Sequence, residues 1–163
     1  MGAGKSTVAA ELGKLLGCAV YDSDAVIEAE AGMTIPEIFS REGEAGFRAR
    51  ERAAIEALAA RGAVVALGGG AMAQPGAPER LRASGTVIYL RARIDTLARR
   101  VGVGATRPLL AGLDAAGRRA KLAELLGARE PAYRQAHITV DTDRNSLRRV
   151  AREIAALLGE AAR

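Results

Sequence analysis

The sequence predicts an α/β fold, a parallel sheet covered by helices on both faces. Strand-like and helical segments alternate along the chain, the pattern of parallel strands joined by crossover helices. The clearest strand, 86–90 (TVIYL), is a short apolar run. A glycine-rich stretch, Gly2-Ala3-Gly4-Lys5-Ser6, opens the first helix. The 163 residues make a single domain, 1–163, in which about 102–115 form a mobile lid.

Residues 5–16 (KSTVAAELGKLL) read as a helix with Val8, Leu12, Leu15 and Leu16 on one side. Residues 19–21 form a short strand that ends at Asp22-Ser23-Asp24. Thr34 and Glu37 spell a T-x-x-E capping box, so a short helix follows. Residues 44–60 form a longer helix, which Gly62 ends. Residues 63–67 (AVVAL) are a buried strand running into Gly68-Gly69-Gly70. Residues 79–83 are helical, 86–90 are strand, and 94–101 are helical until 102–106 break the pattern. Residues 114–126 form a helix, with a further turn around 129–136. A strand at 138–140 and an amphipathic helix at 147–158 complete the chain.

Composition narrows the function. Hydrophobic residues make up 49% and charged residues 26%, which suits a soluble globular protein and excludes general disorder. Aromatics at 3% leave almost no stacking platform for single-stranded nucleic acid. No apolar run reaches the roughly 18–20 residues needed to cross a bilayer, and no secretory signal pattern opens the chain. The single cysteine, Cys18, excludes an intrachain disulfide and reads as a small buried apolar residue. These features predict a cytoplasmic monomer without nucleic-acid or membrane partners. The net charge is +5, and only Lys5, Lys14 and Lys121 among the 24 basic residues are lysines. Arginine binds carboxylate and phosphate bidentately, so this composition admits anionic ligands, although codon bias produces it equally well. The basic residues are spread along the chain rather than gathered in one tail, which weakens a nucleic-acid reading.

Gly2-Ala3-Gly4-Lys5-Ser6-Thr7 matches the last part of the phosphate loop G-x-x-x-x-G-K-[S/T]. Glycines let backbone N–H groups turn inward around phosphate oxygens. The helix N-terminus adds partial positive charge there. Lys5 reaches the β- and γ-phosphates, and Ser6 can ligate Mg²⁺. Met1-Gly2-x-x-x-Ser6 also fits an N-myristoylation pattern, but that leaves Gly4, Lys5 and the helix unexplained. A complete loop has its first glycine two positions before Met1, and a strand before that glycine. The sequence therefore predicts that Met1 is an internal methionine and that the natural chain starts roughly ten residues earlier, with a strand and the first loop glycine.

A phosphate loop names a donor, and the acceptor must be argued from later residues. Asp22 and Asp24 lie at the C-terminal end of a strand, where ligands bind in open α/β sheets. Alternate residues of an extended segment share a face, so both carboxylates can enter one cleft. One could orient a water on Mg²⁺ and the other accept a proton from an attacking hydroxyl. An acidic turn capping the next helix is the competing reading. Arg48 and Glu51 are i and i+3 on one helical face. They are either a surface ion pair or, in a cleft, a carboxylate-binding arginine held by its neighbour. Gly68-Gly69-Gly70 offers backbone donors at the same sheet edge, or is merely a loose loop. Arg107, beyond 102–106, can close over a transferring phosphoryl group. Arg129, with Pro131 and Tyr133, offers another cation. His137 and Met72 read as structural.

Phosphate loop, D-S-D, F-R-x-x-E, G-G-G, R-P-L-L and R-x-P-x-Y occur in the order and approximate spacing of shikimate kinases, which the chain resembles from Met1 almost to its C-terminus. The resemblance implies a three-layer P-loop kinase fold with a five-stranded parallel sheet in order 2-3-1-4-5, strand 1 missing from this chain. It implies transfer of the γ-phosphoryl group of ATP to the 3-hydroxyl of shikimate, giving shikimate 3-phosphate and ADP in the pathway to chorismate and aromatic amino acids. By motif match, Asp24, Arg48, Gly69, Gly70 and Arg129 would contact shikimate. Asp24 would hold the acceptor hydroxyl, Arg48 and Arg129 would clamp the carboxylate, and Glu51 would support Arg48. Arg107 is similar to the lid arginine that meets the phosphates. Arg100 and Arg144 match arginines that flank adenine. Gly2 to Thr7, Ala3 included, would wrap the phosphates. Ser6 and, through water, Asp22 would hold Mg²⁺, the cofactor. A gluconate kinase shares the phosphate loop and D-x-D, and a non-catalytic nucleotide-binding module is the alternative from another class.

Overall fold

The computed structural model describes residues 2–101, 110 and 112–161. Helix α1 (Lys5–Leu16) leads into strand β1 (Val20–Asp22), then α2 (Ser23–Ala31) and α3 (Ile35–Ala59). Strand β2 (Val64–Ala66) is followed by a 3-10 turn (Ala71–Ala73) and α4 (Ala77–Ser84). Strand β3 (Ile88–Arg91), α5 (Ile94–Val101), α6 (Ala115–Tyr133), β4 (Ile138–Asp141) and α7 (Leu147–Ala161) complete the order.

Both strand pairs are parallel, as the alternation of elements predicts. β1 pairs with β2 in the register Val20↔Val64 and Asp22↔Ala66. β3 pairs with β4 in the register Ile88↔Ile138 and Arg91↔Asp141. Among the described residues the two pairs are not hydrogen-bonded to each other. They correspond to strands 2-3 and 4-5 of the implied order. β2 and β3 both line one cavity of about 510 Å³. Val8, Leu12 and Ile154 of α1 and α7, which pack together, also line it, as do Ile55, Leu81 and Tyr133 of α3, α4 and α6, which gather around the 3-10 turn. This is the three-layer arrangement.

α1 and α7 share a core of Val8, Leu12, Val150, Ala151 and Ile154 over Val140 of β4. Burying each larger side chain contributes about 1.5–3 kcal/mol, which fixes α1, and so the phosphate loop, against α7. The predicted apolar side of α1 is narrower than expected, since Leu15 and Leu16 are exposed. Gly4 caps α1 at φ 90°, and a Cβ there would lie 2.7 Å from Leu147 Cδ2. A glycine is required on both counts.

Several expectations shift. α2 is an additional helix, nucleated by Asp22 at its N-cap. The capping box of Thr34 and Glu37 is present, but the helix it starts does not stop before 44. α3 runs through a kink at Gly43, at φ 70° and ψ −176°. Phe39 stacks on Phe47 across the kink at 4.7 Å, and Arg50 makes two 2.8 Å bonds to Glu42. Side chains from both halves thus bridge the break. α6 continues through Pro131, close to its end. His137 has the structural role expected, its Nδ1 accepting from the Val87 N–H at 3.1 Å. Met72 is buried as expected, whereas Cys18 is only half-buried.

Candidate active site

The register of β1 and β2 sets Asp22 level with Ala66. The segments that leave these strands, Ser23-Asp24 and 67–70, therefore emerge side by side at the C-terminal edge of the sheet. Ser23, fully buried, accepts from the Gly68 N–H at 2.9 Å and ties the two segments together. Asp22 closes a second link. Its Oδ1 accepts from the Asp24 N–H at 3.1 Å, and its Oδ2 accepts from the Ser6 hydroxyl at 3.3 Å. One carboxylate thus spans the starts of α1 and α2.

Asp22 and Asp24 do converge, but not on one face of an extended strand as the sequence predicts. Asp24 lies in the first turn of α2, and Asp22 caps that helix. The catalytic and the capping readings of this acidic triplet therefore describe one geometry. A helical first turn, with its short rise per residue, brings the two side chains to the same cleft.

The three glycines collect charged side chains from three helices. A Cβ on Gly68 would fall onto Asp24 Oδ1. A Cβ on Gly69 would lie 3.2 Å from Arg129 Nη1, and one on Gly70 would lie 2.8 Å from Arg48 Nη2. Asp24, Arg129 and Arg48 thus come together on one backbone segment. Arg129 Nη1 also donates to the Gly69 carbonyl at 3.2 Å.

Arg48 and Glu51 are a cleft pair, not a surface one. Glu51 is 2% exposed, and its Oε2 accepts from Arg48 Nη1 at 2.7 Å. Removing one partner of so deeply buried a pair is strongly destabilising. Glu44 accepts from Arg48 Nη2 at 3.4 Å, and the Arg48 guanidinium lies 5.0 Å from the Phe47 ring centroid. Arg48 Nε is buried with no hydrogen-bond partner.

Electrostatics single out Asp24. Burial pushes its pKa above the ordinary aspartate value, and the carboxylates of Asp22, Glu51 and Glu28 add to the rise. The Lys5 ammonium pulls the other way, which places the phosphate-loop lysine within electrostatic reach of the acceptor side. Raised carboxylates at a sheet edge are a mark of proton-transfer sites.

Other predicted residues lie around the loop. A Cβ on Gly2 would meet Leu97 and Val101 of α5, so the loop rests on the helix that carries Arg100. Arg100 is tied to the end of β4, donating to Thr142 Oγ1 at 2.9 Å and to the Thr142 carbonyl. Arg144 is exposed in the segment that follows. Arg107 lies outside the described residues, as does most of the predicted lid.

Sequence reasoning missed two holding contacts, the Ser23 bond to Gly68 and the Tyr133 O–H donated to the Gly69 carbonyl. The second was findable, because Arg129 and Tyr133 are i and i+4 and share a face once the helix is allowed to pass Pro131.

A phosphate-binding glycine loop at a helix start, facing a carboxylate and two arginines across a parallel sheet edge, defines a P-loop kinase of small metabolites. The shikimate kinase family model matches residues 1–158. A shikimate kinase of Halorhodospira halophila is 49% identical over 156 residues, covering 94% of this chain and 86% of that protein. One from Thiobacillus denitrificans is 50% identical over 149 residues, covering 90% and 80%. The solved shikimate kinase from Acinetobacter baumannii in complex with shikimate superposes with a TM-score of 0.88 at 41% identity, over 99% of this chain and 89% of that one. The chain belongs to the shikimate kinase family.

Proposed function

We infer that this chain transfers the γ-phosphoryl group of ATP to the 3-hydroxyl of shikimate, giving shikimate 3-phosphate and ADP on the way to chorismate and the aromatic amino acids. The observation that carries the reading is the meeting of Asp24, Arg48 and Arg129 around the three glycines, within reach of Lys5. Shikimate carries one carboxylate and several hydroxyls, so it asks for guanidinium groups and a hydroxyl acceptor.

In this reading Arg48 and Arg129 clamp the carboxylate bidentately. Gly69 and Gly70 let the ring lie against the backbone. Asp24 orients the 3-hydroxyl and takes its proton as the oxygen attacks. Glu51 keeps Arg48 aimed. The N–H groups of the 2–7 loop, Ala3 and Thr7 included, cradle the phosphates, and Lys5 neutralises charge on them. Arg107 adds a cation from the lid at about 102–115, and Arg100 and Arg144 flank the adenine. Such a reaction needs positioning and charge neutralisation above all.

Mg²⁺ fits the donor set. The Ser6 hydroxyl and the Asp22 carboxylate adjoin at 3.3 Å, and both are hard oxygen ligands. Among the described residues no cluster of three acidic, histidine or cysteine side chains encloses a metal. Mg²⁺ usually keeps several waters and is held by one or two carboxylates plus substrate phosphates. Ser6 would hold the ion directly and Asp22 through water. When bound, it would supply positive charge to neutralise the phosphates. No helix among the described residues is long and apolar enough to cross a membrane. As a separate part of the proposal, the protein works as a cytoplasmic monomer.

A substrate panel with Mg-ATP tests the reading. Shikimate is phosphorylated and gluconate is not; the reverse result overturns the assignment. ATP-independent, salt-sensitive DNA binding with no turnover would favour a binding module.

The pH profile gives a second test. Asp24 must be ionised to take a proton, and its pKa is raised chiefly by burial. Turnover therefore falls on the acid side at a pH above the ordinary aspartate range of about 4. An acid limb at or below that range would remove Asp24 as the base.

A further inference from the structure

We infer that Tyr133 is a positioning residue for the acceptor. By holding the Gly69 carbonyl it turns the Gly69–Gly70 peptide so that the Gly70 N–H faces the cleft and donates to shikimate. This rests on the reading above and deepens it.

The Gly69 carbonyl accepts from the Tyr133 hydroxyl and from Arg129 Nη1. A carbonyl oxygen has two lone pairs, and both are taken. The peptide is planar and trans, so the N–H of Gly70 points opposite to the Gly69 carbonyl. That N–H has no backbone or side-chain acceptor among the described residues, and a Cβ on the same residue would meet the Arg48 guanidinium. The free donor therefore belongs to the residue beside the predicted carboxylate clamp.

A run of three glycines does not hold such an orientation unaided. Glycine has the widest choice of backbone conformation and loses the most on being fixed. Two side chains from one helical face supply the constraint. Tyr133 is the more rigid of the two, because its ring packs on Tyr89 at 5.2 Å and 39°. Burial also raises its pKa, so the phenol stays protonated and donating at neutral pH. Arg129 uses one of its five donors on the loop and keeps others for an anion.

The test compares Tyr133→Phe with Tyr89→Phe in the full chain. Both variants keep the tilted ring contact, and only the first removes the bond to the loop. Tyr133→Phe weakens shikimate binding by calorimetry, and raises KM for shikimate, about three- to tenfold, the effect of one lost hydrogen bond. KM for ATP stays at the wild-type value, and Tyr89→Phe moves neither. An unchanged KM for shikimate, a parallel rise for ATP, or equal effects of the two variants would overturn the inference. A second measurement needs no variant. In glycine-15N-labelled wild type, shikimate shifts the Gly70 amide resonance more than those of Gly76 and Gly85, which flank α4; equal shifts overturn it. Wild type that binds no shikimate overturns the underlying function instead.

Discussion

Asp24→Asn lowers kcat by about 10²–10⁴-fold, the range for removing a general base, while ATP affinity is kept. Asparagine fills the same space and still hydrogen-bonds to a hydroxyl, but it cannot take the proton. Stability moves the other way. The folded state holds the Asp24 proton more tightly than the unfolded chain does, because burial and then Asp22, Glu51 and Glu28 raise its pKa. At pH 7, above both values, ionised Asp24 thus costs the fold free energy. That cost is relieved as pH falls through the raised pKa, and it is absent in the variant. The expected result is a melting temperature at or above wild type in a nearly inactive protein. Near-normal turnover, measured with saturating ATP and shikimate, would exclude Asp24 from proton transfer.

Arg48→Ala weakens shikimate binding by about 2–5 kcal/mol, the usual loss for one side of a buried charged contact. It also leaves Glu51, 2% exposed, without its 2.7 Å partner, which costs about 3–5 kcal/mol of stability. The two effects separate in the double variant Arg48→Ala/Glu51→Gln. Removing the orphaned charge restores most of the melting temperature and none of the shikimate affinity. Recovery of affinity in the double variant would mean that Arg48 supports the fold and does not touch the substrate. Calorimetric titration with shikimate, alongside thermal melts, reads both.

The fold was legible where one pattern governs one element. The spacing of Val8 and Leu12 marks α1, and the run around Tyr89 marks β3 as a strand. The helix predicted at 94–101 matches α5. α2 is not legible, because its apolar residues form only a weakly one-sided pattern and its start depends on Asp22 turning back onto Asp24. The sequence reading divides α3 and α6 each into two pieces, with breaks before 44 and after 126. Tertiary contacts, the Phe39–Phe47 stack and the Tyr133 bond, override them. At the site, the residue types were readable, since glycines, aspartates and arginines each have a definite chemistry. The face they share was not, because Asp24, Arg48 and Arg129 come from three helices and only the strand register brings them together. The depth of Glu51 was also hidden, because an i, i+3 pair looks the same in sequence on a surface and in a cleft.

The three glycines have a consequence for directed evolution. Each one is the footprint of a different charged group, so a methyl at 68, 69 or 70 would press on Asp24, Arg129 or Arg48 respectively. Libraries that seek new acceptor alcohols should therefore leave this tripeptide untouched.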